Sequence, residues 1–412
     1  MSPHNALEAI RQSGIVIASD TAEYKRIAKF HPIDATSNPS LVLAALSKRE
    51  YAHFLDNAVT YACKSLPNGT TEEQTSLALD YLLVQIGIQI LNIIPGRVSI
   101  SVDPRLAHNY DAILAKAHSL ISLFEKFDIS RHRILIKIPA TYPGILAART
   151  LESTAEINGG PIHTNITLIF GLVQALACAQ AGVSVLSPFI GRVRDWWVAQ
   201  EAHLNVNGTN TSAVPTSQLP LAQHPGILLV RQIRQAYKAY NHQSQVMAAG
   251  FRTVDEIIEL SKAGPQFGPD LVTLPPELLD GLKARKPAAS SSGPDIVVTE
   301  LGSVSGVVDS ASNPEPLYVS NNPAYNGEAK FKEDLMKERI ALDKVPEGLN
   351  KFAVDATTLE SLVKLRLSEK KWRAGLWMMW SSVMGVVIFG LTMWHYLGPF
   401  DPAEEYTPFA RT

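Results

Sequence analysis

About eight short apolar runs, each followed by a helix-length stretch, limit the folds open to this chain more than any other feature. The runs are Gly14–Asp20, Asp34–Leu41, Arg97–Asp103, Arg133–Ala140, Pro161–Thr167, Val183–Phe189, Gln245–Arg252 and Asp270–Pro275. Strands that alternate with helices imply βαβ units and a parallel sheet. About eight such units make a closed (β/α)8 barrel, whose active site lies at the late ends of the strands. Polar side chains cluster at those ends here.

The most telling run is R-I-L-I-K-I-P-A at Arg133–Ala140. Side chains alternate across a strand, so Ile134, Ile136 and Ile138 share one face and Leu135 and Lys137 the other. Pro139 cannot donate to a ladder, so the strand ends near it. A buried ammonium is costly unless paired. An amine held in an apolar setting has a lowered pKa and attacks carbonyls as a Schiff-base nucleophile. The plain alternative is a lysine snorkelling from the strand end.

Other runs carry polar faces of their own. Asp20 ends the first; Asp20-Thr-Ala-Glu23 also reads as a capping box, which would make Asp20 a helix N-cap. Asn38-Pro39 favours a turn and a helix start. Ser99, Ser101 and Asp103 share a face opposite Val98, Ile100 and Val102. His163, Asn165 and Thr167 align, as do Ser187 and Phe189, and the Ile190-Gly191-Arg192 loop follows. Val246, Ala248, Gly250 and Arg252 align in the seventh run. Helical patterns cover Pro39–Ser47, Glu50–Ser65, Thr71–Ile94, His108–Phe127, Gly144–Glu152 and Leu168–Ala181. They return over Phe331–Ala341 and Ala356–Leu367, with a turn expected at V-P-E-G-L-N-K-F-A-V-D between them.

With 412 residues and a net charge of -2, the chain suits one large barrel and offers no nucleic-acid surface. Cys63 and Cys178 match no metal or redox spacing and read as reduced thiols. The N-terminus lacks the basic-then-apolar order of a signal peptide. The expected organisation is a barrel over 1–285 with a loop insertion at 205–224, a mobile low-complexity insertion at 286–329 with at most transient structure, and C-terminal helices over 330–370. Gly375–Leu397 holds no charged side chain, so a membrane helix is expected over 374–398, followed by a short tail at 399–412. Trp377, Trp380, Trp394 and Tyr396 lie toward its ends, as interfacial residues do. The barrel is then expected in the cytoplasm, tail-anchored to the endoplasmic reticulum or mitochondrial outer membrane. A greasy dimer contact is the alternative use of this run, so a homodimer also stays open.

Taken together, the strand ends resemble the transaldolase family. The matching pieces are D-A-T-S-N-P-S-L (Asp34–Leu41), G-R-V-S (Gly96–Ser99), R-I-L-I-K-I-P-A-T (Arg133–Thr141) and H-T-N-I-T-L-I-F (His163–Phe170). S-P-F-I-G-R (Ser187–Arg192), F-R (Phe251–Arg252) and G-L-N-K-F-A-V-D (Gly348–Asp355) follow in order. The resemblance implies transfer of a dihydroxyacetone unit between sugar phosphates of the fructose 6-phosphate, erythrose 4-phosphate and sedoheptulose 7-phosphate class. It implies a Schiff base and no cofactor or metal. By position, Lys137 would be the nucleophile and Asp20 the acid/base. Thr167 would position a water, and Asn38, Asn165, Ser187 and Phe189 would line the donor site. Arg192 and Arg252 would clamp phosphate, a task suited to the guanidinium fork.

Two positions depart from the family. Its V-S-T-E-V-D is V-S-I-S-V-D here, so Ser101 stands where the family's water-activating glutamate would be. A serine hydroxyl is a poor general base, and such bases are worth about 10²–10⁴-fold. The family's phosphate-binding serine before F-R is Gly250. Two readings follow. One is a membrane-tethered transferase with reduced or altered activity; the other is a catalytically weak sugar-phosphate sensor or scaffold.

Overall fold

The computed structural model describes residues 2–153, 159–206, 215–287, 317–320, 322 and 325–397. Eight parallel strands close a barrel in chain order. They are β1 (Val16–Asp20), β2 (Asp34–Thr36), β3 (Val98–Ser101), β4 (Ile134–Pro139), β5 (Thr164–Ile169), β6 (Val185–Pro188), β7 (Gln245–Ala248) and β8 (Leu271–Leu274). β8 pairs back onto β1, so the sheet has no free edge.

The period of two along each strand sorts side chains between two cores. On β4, Ile134, Ile136 and Ile138 pack outward against the helices. Leu135 points inward and joins Ala18, Val185, Met247 and Leu271 in a compact apolar plug inside the barrel. Above that plug the inward positions turn polar: Asp20, Thr36, Ser99, Lys137, Asn165 and Ser187. The floor is therefore dry and the mouth wet, which places the site where the strands end.

Local chemistry starts the helices. Asn38 caps the helix Pro39–Leu46, accepting from the Leu41 amide at 3.0 Å with Pro39 in the first turn. Thr70 and Glu73 form a reciprocal capping box at the start of Thr71–Leu91. That helix buries Leu82, Ile86 and Ile90 against the barrel.

Four expectations need correction. Leu168 belongs to β5, not to a helix. The strand bulges between Ile166 and Ile169, and Leu168 sits at φ +62°, a conformation rare for a bulky residue. The helix begins only at Leu172, after Gly171. There the Glu338 carboxylate accepts from the Leu172 and Val173 amides at 2.8 and 3.1 Å, capping the helix from a distant part of the chain.

The turn expected between Val345 and Asp355 is helix. One continuous helix runs from Arg339 to Leu397 with Pro346 inside it. Gly348 lets it lie close on β5, because a Cβ there would stand 2.7 Å from Leu168 Cδ2. Docking outweighs the local preference of Pro and Gly for a break.

The membrane helix expected over 374–398 finds no support. Among the described residues, no helix is long and apolar enough to cross a membrane. The apolar run is the outer part of the same helix that docks on the barrel, and most of its side chains, like the tail at 399–412, lie outside the described residues.

Much of the 286–329 stretch also lies outside them, as does part of 205–224. Yet Tyr318 and Val319 are fully packed, and the Tyr318 hydroxyl donates to Asp334 at 2.9 Å. At least this part of the biased stretch is structured, held by an aromatic anchor.

Candidate active site

Lys137 is 7% exposed on the inward face of β4. Burial lowers its amine below the ordinary lysine range, and the nearby Asp20 carboxylate partly opposes that shift. The strand pattern causes this placement: two residues past Leu135, the same face meets the mouth instead of the plug. The side chain is buried almost to its tip inside the barrel, which is not the exposed end of a snorkelling lysine.

Asp20 ends β1 on the same rim. It is no helix cap, because the next helix starts at Tyr24 behind Glu23. The Thr36 hydroxyl instead donates to Asp20 Oδ1 at 2.6 Å. Thr36 has one proton to give, so the Thr273 hydroxyl, 2.7 Å away, donates to Thr36. This relay holds the carboxylate in one orientation. Neither threonine was singled out from sequence, although alternation puts Thr36 on the inward face two residues before Asn38.

A second network fixes Asn165. Its Nδ2 donates to Ser99 Oγ at 3.0 Å, and its Oδ1 accepts from Ser187 Oγ at 2.7 Å. The second Nδ2 proton goes to Met247 Sδ at 4.0 Å, so only the Oδ1 keeps an unused position for a substrate group. Thr167 lies two residues on; its hydroxyl is buried without a protein partner among the described residues. A buried unpaired hydroxyl costs free energy unless a ligand or water satisfies it. Asn38 spends its side-chain oxygen on the cap, which leaves its NH2 for donation.

Ser101 ends β3 directly opposite Lys137 in the strand register. The side chain therefore faces the mouth, as the alternation of β3 implies, and brings a hydroxyl to one flank of Lys137 while Asn165 holds the same register on the other.

The two arginines lie beyond β6 and β7. The Arg192 guanidinium sits over the rings of Phe189 and Phe352, at 5.3 and 5.9 Å from their centroids. Burial pulls its pKa down; Glu347 opposes this, and neighbouring Arg252 reinforces it. Arg252 pairs with Asp195 at 2.7 Å, with both side chains nearly half exposed. Of the two arginines expected to meet phosphate, one thus lies against aromatic rings and the other is held aside by a carboxylate. Phe352 falls in the Gly348–Asp355 motif but carried no role of its own there, and Asp195 gave no sequence signal, because neither lies on a strand end.

Gly250 sits between them at φ +67°. A Cβ there would stand 2.9 Å from Phe189 Cδ1. The loop backbone has taken a form that a serine would not adopt without strain.

Comparison with known proteins identifies the family. A sequence model of the Transaldolase/Fructose-6-phosphate aldolase family matches residues 17–363. The chain is 39% identical over 366 residues to the transaldolase of Saccharomyces cerevisiae, covering 89% of this chain and 96% of the yeast protein. It is 38% identical over 364 residues to that of Fusarium oxysporum, covering 88% of this chain and 99% of the relative. Against the transaldolase of Haemophilus ducreyi it is 37% identical over 363 residues, 88% of this chain and 100% of the bacterial protein. With matches that span the barrel and the docked part of the C-terminal helix, the chain belongs to the transaldolase family.

Proposed function

We propose that this enzyme moves a dihydroxyacetone unit from a ketose phosphate to an aldose phosphate through a Schiff base on Lys137. The observation that carries the reading is a buried amine of lowered pKa on the same polar rim as an oriented carboxylate. A neutral lysine attacks the ketose carbonyl. Asp20 then takes the hydroxyl proton as the carbon–carbon bond breaks, and returns it to the acceptor aldehyde oxygen when the new bond forms. Asn165 and Asn38 hold the donor hydroxyls, Thr167 and Ser187 complete the polar wall, and Phe189 shapes it. Arg192 and Arg252 receive the phosphate.

Ser101 sets the weakness of the reaction. Forming and hydrolysing the Schiff base moves water, and the residue in register with Lys137 is a serine instead of a carboxylate, while Asp103 two residues on is paired with Arg105. The reaction is therefore slow at those two steps. The same observation favours a second reading, a sugar-phosphate sensor that binds its ligand and turns over little. We place the barrel in the cytoplasm as part of the proposal; cell fractionation tests that placement.

The chemistry is tested by trapping. The protein is incubated with fructose 6-phosphate, reduced with borohydride and mapped by mass spectrometry. An adduct on Lys137 that disappears in Lys137→Ala supports the transferase. An adduct on another lysine overturns the assignment, and saturable binding without any adduct supports the sensor.

A further inference from the structure

A cavity of about 290 Å³ opens beside the strand end that carries Ser101. Its inner end is formed by Ser101 and by Pro39, the residue after Asn38. From there it runs outward between the helices Thr71–Leu91 and Arg339–Leu397. It meets the catalytic mouth through Ser101, the register partner of Lys137, on the side of the barrel away from Arg192 and Arg252.

Its walls decide what it takes. Leu79, Leu83, Val102 and Leu359 line it, so most of its surface is apolar. Every cation in it is already paired. Lys116 bonds Asp80 at 2.8 Å, Arg105 bonds Asp103 and Glu360 at 2.6 Å each, and Lys364 bonds Glu360 at 2.7 Å. Glu72 adds a further carboxylate, so carboxylates outnumber cations. A phosphate finds no unneutralised positive charge here and would meet repulsion. The volume lies at the lower edge of the ~300–1,000 Å³ usual for small-ligand pockets, which suits a ring or a short chain. A glutamate in place of Ser101 would intrude on the inner end; the serine leaves it open.

We propose that this cavity is an acceptor subsite, and that the enzyme transfers its dihydroxyacetone unit to unphosphorylated aldehydes bearing an apolar ring or chain. The inference rests on the Schiff-base reading above. Cleavage of the donor leaves an enamine on Lys137, a free aldose phosphate, and the hydroxyl proton on Asp20. The enamine carbon attacks the aldehyde carbon, forming one carbon–carbon bond. The aldehyde oxygen takes the proton from Asp20. Water then hydrolyses the iminium, releasing the lengthened ketose and the free amine. Nothing is oxidised or reduced, and the apolar substituent occupies the cavity while the reacting carbon stays at Lys137.

The test uses the full-length protein, fructose 6-phosphate as donor, and either erythrose 4-phosphate or phenylacetaldehyde as acceptor. The expected result is a product heavier than phenylacetaldehyde by one dihydroxyacetone unit, with kcat/KM within about tenfold of that for erythrose 4-phosphate. Ala356→Phe, which narrows the cavity from the C-terminal helix, should cut the aromatic reaction at least tenfold. It should leave the erythrose 4-phosphate reaction within about twofold. Leu83→Trp fills the cavity from the opposite wall and serves if the first variant fails to fold. Transfer to erythrose 4-phosphate but not to phenylacetaldehyde overturns the subsite alone. So does equal loss of both reactions in the folded variants. No adduct and no transfer to either acceptor overturns the Schiff-base reading, and the subsite with it.

Discussion

Ser101 and Lys137 are register partners on adjacent parallel strands, so a hydroxyl stands beside the amine where relatives of this chain would place a carboxylate. On the proposed mechanism this pairing ties the serine to the rate of Schiff-base formation and hydrolysis. Ser101→Glu should raise turnover of fructose 6-phosphate with erythrose 4-phosphate, by up to the ~10²–10⁴-fold of a general base. The cavity beside position 101 gives the longer side chain room. Steady-state rates with a thermal melt check both points; a folded variant with no gain would shift weight to the sensor.

Burial of Lys137 also bears on stability. Its folded-state pKa lies below the unfolded value near 10.4, so between the two the unfolded chain binds more protons. The cost is fully present below the folded pKa and is relieved as pH rises through that window. Lys137→Met should therefore stabilise the fold at neutral pH, by roughly 0.5–2 kcal/mol, while abolishing the adduct. Melting curves at neutral pH and above pH 10 should show the difference shrinking at the alkaline end. A gap that widens with pH would contradict the burial argument.

Arg252 is held off by Asp195. An exposed pair of this kind is worth about 0–1 kcal/mol, so an arriving phosphate can displace it at small cost. Asp195→Asn should lower KM for the ketose phosphate about two- to fivefold with kcat unchanged. Initial-rate kinetics decide it, and a raised KM would show that Asp195 positions the arginine instead of restraining it.

Gly250→Ser looks like a repair but should fail as one. The backbone at φ +67° and the Phe189 ring 2.9 Å from the new Cβ both oppose a side chain. The variant should lose about 1–2 kcal/mol of stability and bind donor no better. Differential scanning calorimetry and the KM for fructose 6-phosphate measure the two effects.

The strands and the inward polar set were legible because both follow from alternation. Leu135 in the plug and Lys137 in the mouth are the same face read two residues apart. What stayed hidden depends on partners far along the chain. Glu338 caps a helix that starts at Leu172, and no local motif announces a cap that distant. Pro346 and Gly348 read as a turn because their local preference is real; docking on Leu168 reverses it. The Thr273–Thr36 bond needed the barrel to close before β8 came near β2, and Phe352 reached Arg192 only because the last helix docks on the barrel.

The helix Arg339–Leu397 gives the enzyme an order of assembly. It supplies Phe352 to Arg192 and lays Gly348 against β5, yet it leaves the ribosome well after β8. A growing chain can close its sheet, and with it the hydrophobic plug, while the roof is still unmade. Until that helix settles, Arg192 lacks the Phe352 ring and Leu168 lacks its cover, so the last segment to be made completes a rim whose other side chains are already in place.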